Sequence, residues 1–157
     1  MSTADLNSVL WRERELLDLL LFFLETEQLM LTAGRTRWLA HTSAQIEQTT
    51  TALREIEILR AMEADQVAAE LGLDMDPALS ALAQAADEPW RTILDDQRAA
   101  LLELTAQISD KASVTRALLA DGQRSTREAL LALSPADTVN PRAVVAAAHP
   151  RLVNRSS

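Results

Sequence analysis

Residues 6–31 read LNSVLWRERELLDLLLFFLETEQLML, and the fold turns on how the apolar residues are spaced within them. Leu6, Leu10, Leu17, Leu20, Leu24 and Leu31 keep to steps of three, four and seven, which line one side of an α-helix. Val9, Leu16, Phe23 and Met30 recur every seventh residue beside them. The combined face is wider than a two-stranded coiled-coil seam and suits a helix with several helical neighbours. Asp5 is placed to cap the amino end of this helix, and Gly34 to close its carboxyl end in a left-handed turn. The densest apolar run, residues 16–24, is interrupted by Asp18 and is shorter than the ~20 residues that span a bilayer. Glu13 and Glu15 precede it in place of a basic leader. It reads as the most buried part of a bundle in a cytoplasmic protein, with no membrane insertion.

The rest of the chain repeats the pattern. A second helix is expected from about Thr36 to Leu71, with Leu39, Ile46, Leu53, Ile56, Leu59, Val67 and Leu71 inward and Gly72 as its stop. Thr42 and Thr49 interrupt that face, and the run Thr49-Thr50-Thr51 is its weak point because β-branched residues lower helix propensity. Asp76-Pro77 reads as N-cap and first helical position of a short helix anchored by Leu79 and Leu82 and ending near Asp87. Asp87-Glu88-Pro89 then starts a long last helix, with acids beside its positive end. Trp90, Ile93, Leu94, Leu101, Leu104, Ile108, Leu118, Leu119, Leu130 and Leu133 carry its face. From Pro89 to Leu133 it spans ~65 Å against ~42 Å for the first helix at 1.5 Å rise per residue. Its far end must therefore overhang, and Gly122 is the place for a kink or break. Residues 134–157, with Pro135, Pro141, Pro150 and arginines 142, 151 and 155, read as a flexible tail in which 144–148 forms at most one docked helical turn.

Composition agrees with an all-α fold: an elongated antiparallel bundle of three long helices plus one short connector, in one helical domain over 1–133 followed by the tail. Among 157 residues there are three glycines, five prolines, no tyrosine and 3% aromatics. The lack of cysteine excludes disulfides and thiolate metal sites. A net charge of −8 without a cationic stripe argues against nucleic acid.

Little in the chain is suited to catalysis. His41 and His149 have no metal-binding companions at helical spacing. Asp95-Asp96 and Glu25/Glu27 fit wet helix faces. The glycines stand alone rather than in a phosphate loop. No catalytic residue, metal site or cofactor is expected, and the apolar faces show no clustered polar groups pointing inward. Trp11, Trp38 and Trp90 read as plugs at bundle ends. The candidate functional residues are instead Leu104, Ile108, Leu118, Leu119, Leu130, Leu131 and Leu133, an apolar stripe reaching onto the overhang. Such a stripe fits a partner, a second copy of the chain in a homodimer, or the tail. Glu103, Asp110, Asp121 and Glu128 are expected beside it, where their charge would select against wrong partners.

The layout over about Leu6 to Leu133 resembles the FlgN family of flagellar export chaperones. The resemblance is carried by a leucine-rich first helix with early glutamates, Leu10-Trp11-Arg12-Glu13-Arg14-Glu15-Leu16-Leu17. It is carried also by an acidic-then-arginine element, Glu55-Ile56-Glu57-Ile58-Leu59-Arg60, and by the closing Leu71-Gly72-Leu73. Where many members have asparagines in the middle of the last helix, this chain has Ser109-Asp110-Lys111-Ala112-Ser113. The resemblance implies a cytoplasmic chaperone that is not an enzyme. It would bind the C-terminal helical segments of the hook-filament junction proteins FlgK and FlgL through its own C-terminal part. It would deliver them unassembled to the flagellar export gate. A self-associating bundle, or a general adaptor with no flagellar client, is the alternative.

Overall fold

The structure, a computed structural model, describes residues 2–133. It has four helices in the order α1 (Ser2–Thr32), α2 (Leu39–Leu71), α3 (Leu79–Ala85) and α4 (Trp90–Ala132), as the all-α reading expects. The tail and His149 lie outside the described residues.

α1 is the central rod and makes the two long interfaces, one with α2 and one with α4. α2 returns antiparallel to it: Glu13 meets Arg60 near one end, while Ser43 Oγ donates to Glu27 Oε2 (3.4 Å) near the other. α3 packs mainly on α4 and also against α2 at the base of the bundle. α4 then sets off beside the start of α1 and runs parallel to it. The main core lies at this base, where Leu6 and Leu10 of α1, Val67 and Ala68 of α2, Leu82 and Ala83 of α3, and Leu94 and Leu101 of α4 meet. A second cluster joins Leu16 to Leu53 and Ile56.

The helix ends show which local signals decide. Gly34 (φ 65°) and Gly72 (φ 71°) both adopt the left-handed conformation. Each closes its helix with a pair of returning bonds: Gly34 N–H to Leu31 O and Arg35 N–H to Met30 O, then Gly72 N–H to Ala69 O and Leu73 N–H to Ala68 O. Glu88 Oε2 accepts from the Thr92 amide (3.3 Å) and hydroxyl (2.8 Å), so an acid does hold the start of α4.

Four expectations about helix ends and continuity need correction. α1 begins at Ser2, which places Asp5 within the first turn and not at the cap. α2 begins at Leu39, three residues late, because residues 36–38 close a turn in which the Leu39 amide bonds Thr36 O. Asp76-Pro77 does not start α3: Asp76 sits at φ 56° with its amide donating to Asp65 Oδ1 (2.7 Å), and α3 runs only from Leu79 to Ala85. Gly122 neither breaks nor ends α4, which is continuous through it. The threonine run is also helical throughout. Each of Thr49, Thr50 and Thr51 turns its hydroxyl back to the carbonyl four residues earlier, and this lets Thr49 be buried with its polar atom satisfied.

Burial inside 16–24 is less complete than its composition implies. Leu16, Leu21 and Leu24 are buried, but Leu19 and Phe22 (60% exposed) face outward, because α2 and α4 cover only part of the circumference of α1. Leu59 is likewise exposed, and its neighbour Arg60 takes the inward position. Trp11 and Trp38 are no plugs either. Both are exposed under an arginine, Arg14 at 4.2 Å and Arg37 at 5.0 Å from the ring centroids; Trp90 alone packs against the core.

Polar groups do enter the interior, contrary to the reading of the apolar faces. Glu13 is buried, and both its oxygens accept from Arg60 Nη1 at 2.9 Å. Burial pushes its carboxyl above the usual range; the charge and hydrogen bond of Arg60 oppose that, and Glu57 adds to it. Gln97, 2% exposed, donates through Nε2 to Asn7 Oδ1 (2.8 Å) and accepts at Oε1 from Arg14 Nη1 (3.1 Å). Both ends of its amide are thereby satisfied between α1 and α4.

Two outcomes follow for stability. Arg60→Ala strands a buried carboxylate, and the loss at pH 7 is about 2 kcal/mol, less than the ~3–5 of a fully buried pair because the arginine is 42% exposed. A carboxyl that holds its proton more tightly folded than unfolded gains stability as pH falls through its folded value. The Arg60→Ala deficit in urea unfolding therefore narrows between pH 7 and pH ~5, and adding Glu13→Gln recovers most of it at pH 7. Separately, Leu94→Ala costs about 3 kcal/mol by the same measurement while Leu130→Ala costs under ~1, because only the first leaves a cavity in the sealed core.

Candidate functional site

α4 outlasts the helix it lies on, with 43 residues against 31 in α1. Gln97 meets Asn7, and Lys111 Nζ lies 4.0 Å from Glu25 Oε1, so the two rods hold a near-constant register. Carried forward, that register sets the end of α1 opposite residue ~118 and leaves ~15 residues, about 22 Å of α4, beyond it.

Burial follows the same boundary. Leu94, Gln97, Leu101 and Thr115 are the buried residues of α4, and none is buried after Thr115 among those described. The inward face continues nevertheless. Leu104 and Ile108, beside α1, are half-buried; so are Leu118, Thr126 and Leu130 further along. Leu119 (45%) and Leu133 are exposed. At about 100° per residue, Leu119, Thr126, Leu130 and Leu133 fall within ~60° of one another, with Leu118 at the margin. Leu131, 78% exposed, lies ~100° round from Leu130 and so stands apart from the stripe. The free end is thus a single helix with one apolar edge.

The acids named beside this stripe do not flank it. Glu103, Asp110, Asp121 and Glu128 are exposed and project from the opposite side of α4 by the same helical geometry. Asp121 is engaged there by Arg124 (3.3 Å).

A second concavity lies near the base. Glu13, Leu17, Arg60, Leu79, Arg98 and Leu102 are among the residues lining a groove of ≈ 380 Å³ between α1, α2 and α4, above the start of α3. Sequence reasoning missed it, though the signal is present. Glu13 occupies the slot between Leu10 and Leu17 in the leucine row, and Arg60 the slot after Ile56 in α2. A charged residue in a heptad slot calls for a charged partner across the interface.

Nothing among the described residues is arranged for metal chemistry, since no group of three or more His, Asp or Glu is placed to hold an ion. His41, Asp95 and Asp96 are exposed. Glu25 faces Lys111, and Glu27, its carboxyl raised by burial against the hydrogen bond from Ser43, faces α2. No described helix is long and apolar enough to cross a membrane.

Comparison with known proteins bears on what such a rod is for. No curated protein matches the chain, and no solved structure does. The family model described as FlgN protein matches residues 1–142, which takes in all four helices, the free end of α4 and the Glu13–Arg60 pair. The chain belongs to the FlgN family, a family of flagellar export chaperones.

Proposed function

We propose that this chaperone works in the cytoplasm on the hook-filament junction proteins FlgK and FlgL, holding their C-terminal helical segments on the apolar edge of α4 and delivering them unassembled to the export gate. The observation that carries this reading is the length of α4 past α1. It carries Leu119 and Leu133 exposed, and Leu118 and Leu130 no more than half-buried, on a helix docked along α1 for the rest of its length. Exposed apolar surface of this kind marks a contact site.

A client segment that is amphipathic and disordered before assembly folds onto such an edge as an added helix. Leu118, Leu119, Leu130 and Leu133 are the anchors, Leu104 and Ile108 border the stripe toward the base, and Leu131 contacts the client from the side. Ordering the client consumes part of the binding energy, which keeps the complex reversible. No cofactor or metal takes part. The competing reading, the same leucines buried in a homodimer, draws on the second exposed apolar face formed by Trp11, Phe22 and Leu29 of α1.

Titration calorimetry with synthetic C-terminal peptides of the two junction proteins tests the proposal. Leu119→Asp is expected to weaken binding about 30-fold, the equivalent of ~2 kcal/mol at an interface anchor, with helicity by circular dichroism unchanged. A concentration-independent dimer by light scattering that ignores both peptides would replace the client reading with self-association.

A further inference from the structure

Resting on the client reading above, we infer that the docking track of α4 selects an amphipathic helix bearing an acidic edge, through a row of arginines on one flank of the apolar stripe. Arg116 and Arg127 are exposed, and neither forms an ion pair among the described residues. They are three turns apart, and both project ~40–60° from Leu130 on the same side, about 16 Å from one another along the axis. The other flank of the stripe carries Ser125, Ala129 and Ala132, with no charge.

The row extends toward the base of the bundle. Arg98 shares the angular position of Arg116, and it lines the groove together with Leu102, Leu17 and Arg60. Arg98, Arg116 and Arg127 therefore share one side of α4, 18 and 11 residues apart, while Glu103, Asp110, Asp121 and Glu128 face away from them and Asp95 lies one turn before Arg98. This arrangement belongs to a chain whose overall charge is −8, so the attraction is local and not a property of the whole molecule. An acidic edge on the occupant places carboxylates opposite guanidiniums, and a basic edge places like charges together.

Two synthetic amphipathic peptides test this. They share identical leucine anchors and differ only in one flank, glutamates in one and lysines in the other. Fluorescence anisotropy with the full chain at low and physiological salt is expected to show the glutamate peptide binding about tenfold more tightly, with the difference shrinking as salt rises. The Arg116→Glu/Arg127→Glu variant, whose exposed positions leave folding intact, should invert the order. Equal affinities, or a preference that survives the double substitution, overturns the arginine row. If Leu119→Asp then weakens both peptides alike, the apolar docking reading stands without it. If neither peptide binds and the junction-protein peptides also fail, both readings fall together.

Discussion

The side-chain amide of Gln97 fixes where the fourth helix sits on the first, and the rest of the molecule's usable surface depends on that register. Buried between α1 and α4, it is matched at both ends, to Asn7 and to Arg14. A slide of one helical turn would leave the amide unpaired in the core, at a cost of ~1–3 kcal/mol for each stranded polar group. Leucine contacts alone tolerate such a slide, because each leucine finds another leucine one turn away. With the register pinned at the base, the surplus length of α4 can emerge only at the far end. The polar lock and the apolar overhang are therefore two consequences of one placement.

Glu13 and Arg60 act likewise between α1 and α2. These residues belong to two of the three sequence elements that carry the family resemblance, and in the fold they meet at 2.9 Å. A buried pair of this kind contributes little net stability, since desolvation offsets most of the attraction, as the raised carboxyl of Glu13 reflects. Its effect is to specify the alignment of two helices whose apolar faces are otherwise repetitive.

The fold class, the four elements and the overhang were legible because leucine spacing over long stretches leaves no other arrangement, and because Gly34 and Gly72 are placed where only a left-handed turn ends a helix. The polar locks were legible only as charged or polar residues in apolar slots, without their partners. Glu13, Arg60 and Gln97 look like ordinary surface residues when only the apolar members of each row are counted, and their roles depend on partners up to 90 residues away. Asp76-Pro77 misled for a related reason: a tertiary acceptor, Asp65, holds the Asp76 amide in a turn and overrides a local capping signal. At the candidate site, the row of leucines was readable but its flanks were not. Adjacency in sequence put Asp121 and Glu128 near the stripe, whereas three dimensions put them behind it and brought Arg116 and Arg127 alongside.

The dimensions of the free end bear on how much of α4 a client must use. A helix edge ~22 Å long and ~10 Å wide offers about 220 Å² of contact, far below the ~800 Å² per partner of a stable protein interface. A segment that touched only the overhang would therefore bind weakly whatever its sequence. Running back along α4 to the level of Arg98 lengthens the track to ~52 Å and more than doubles the contact. It also adds Leu102 and the groove above α3 at one end of the occupant. Contact spread along one edge, with no pocket closing over it, also lets an occupant peel off from either end.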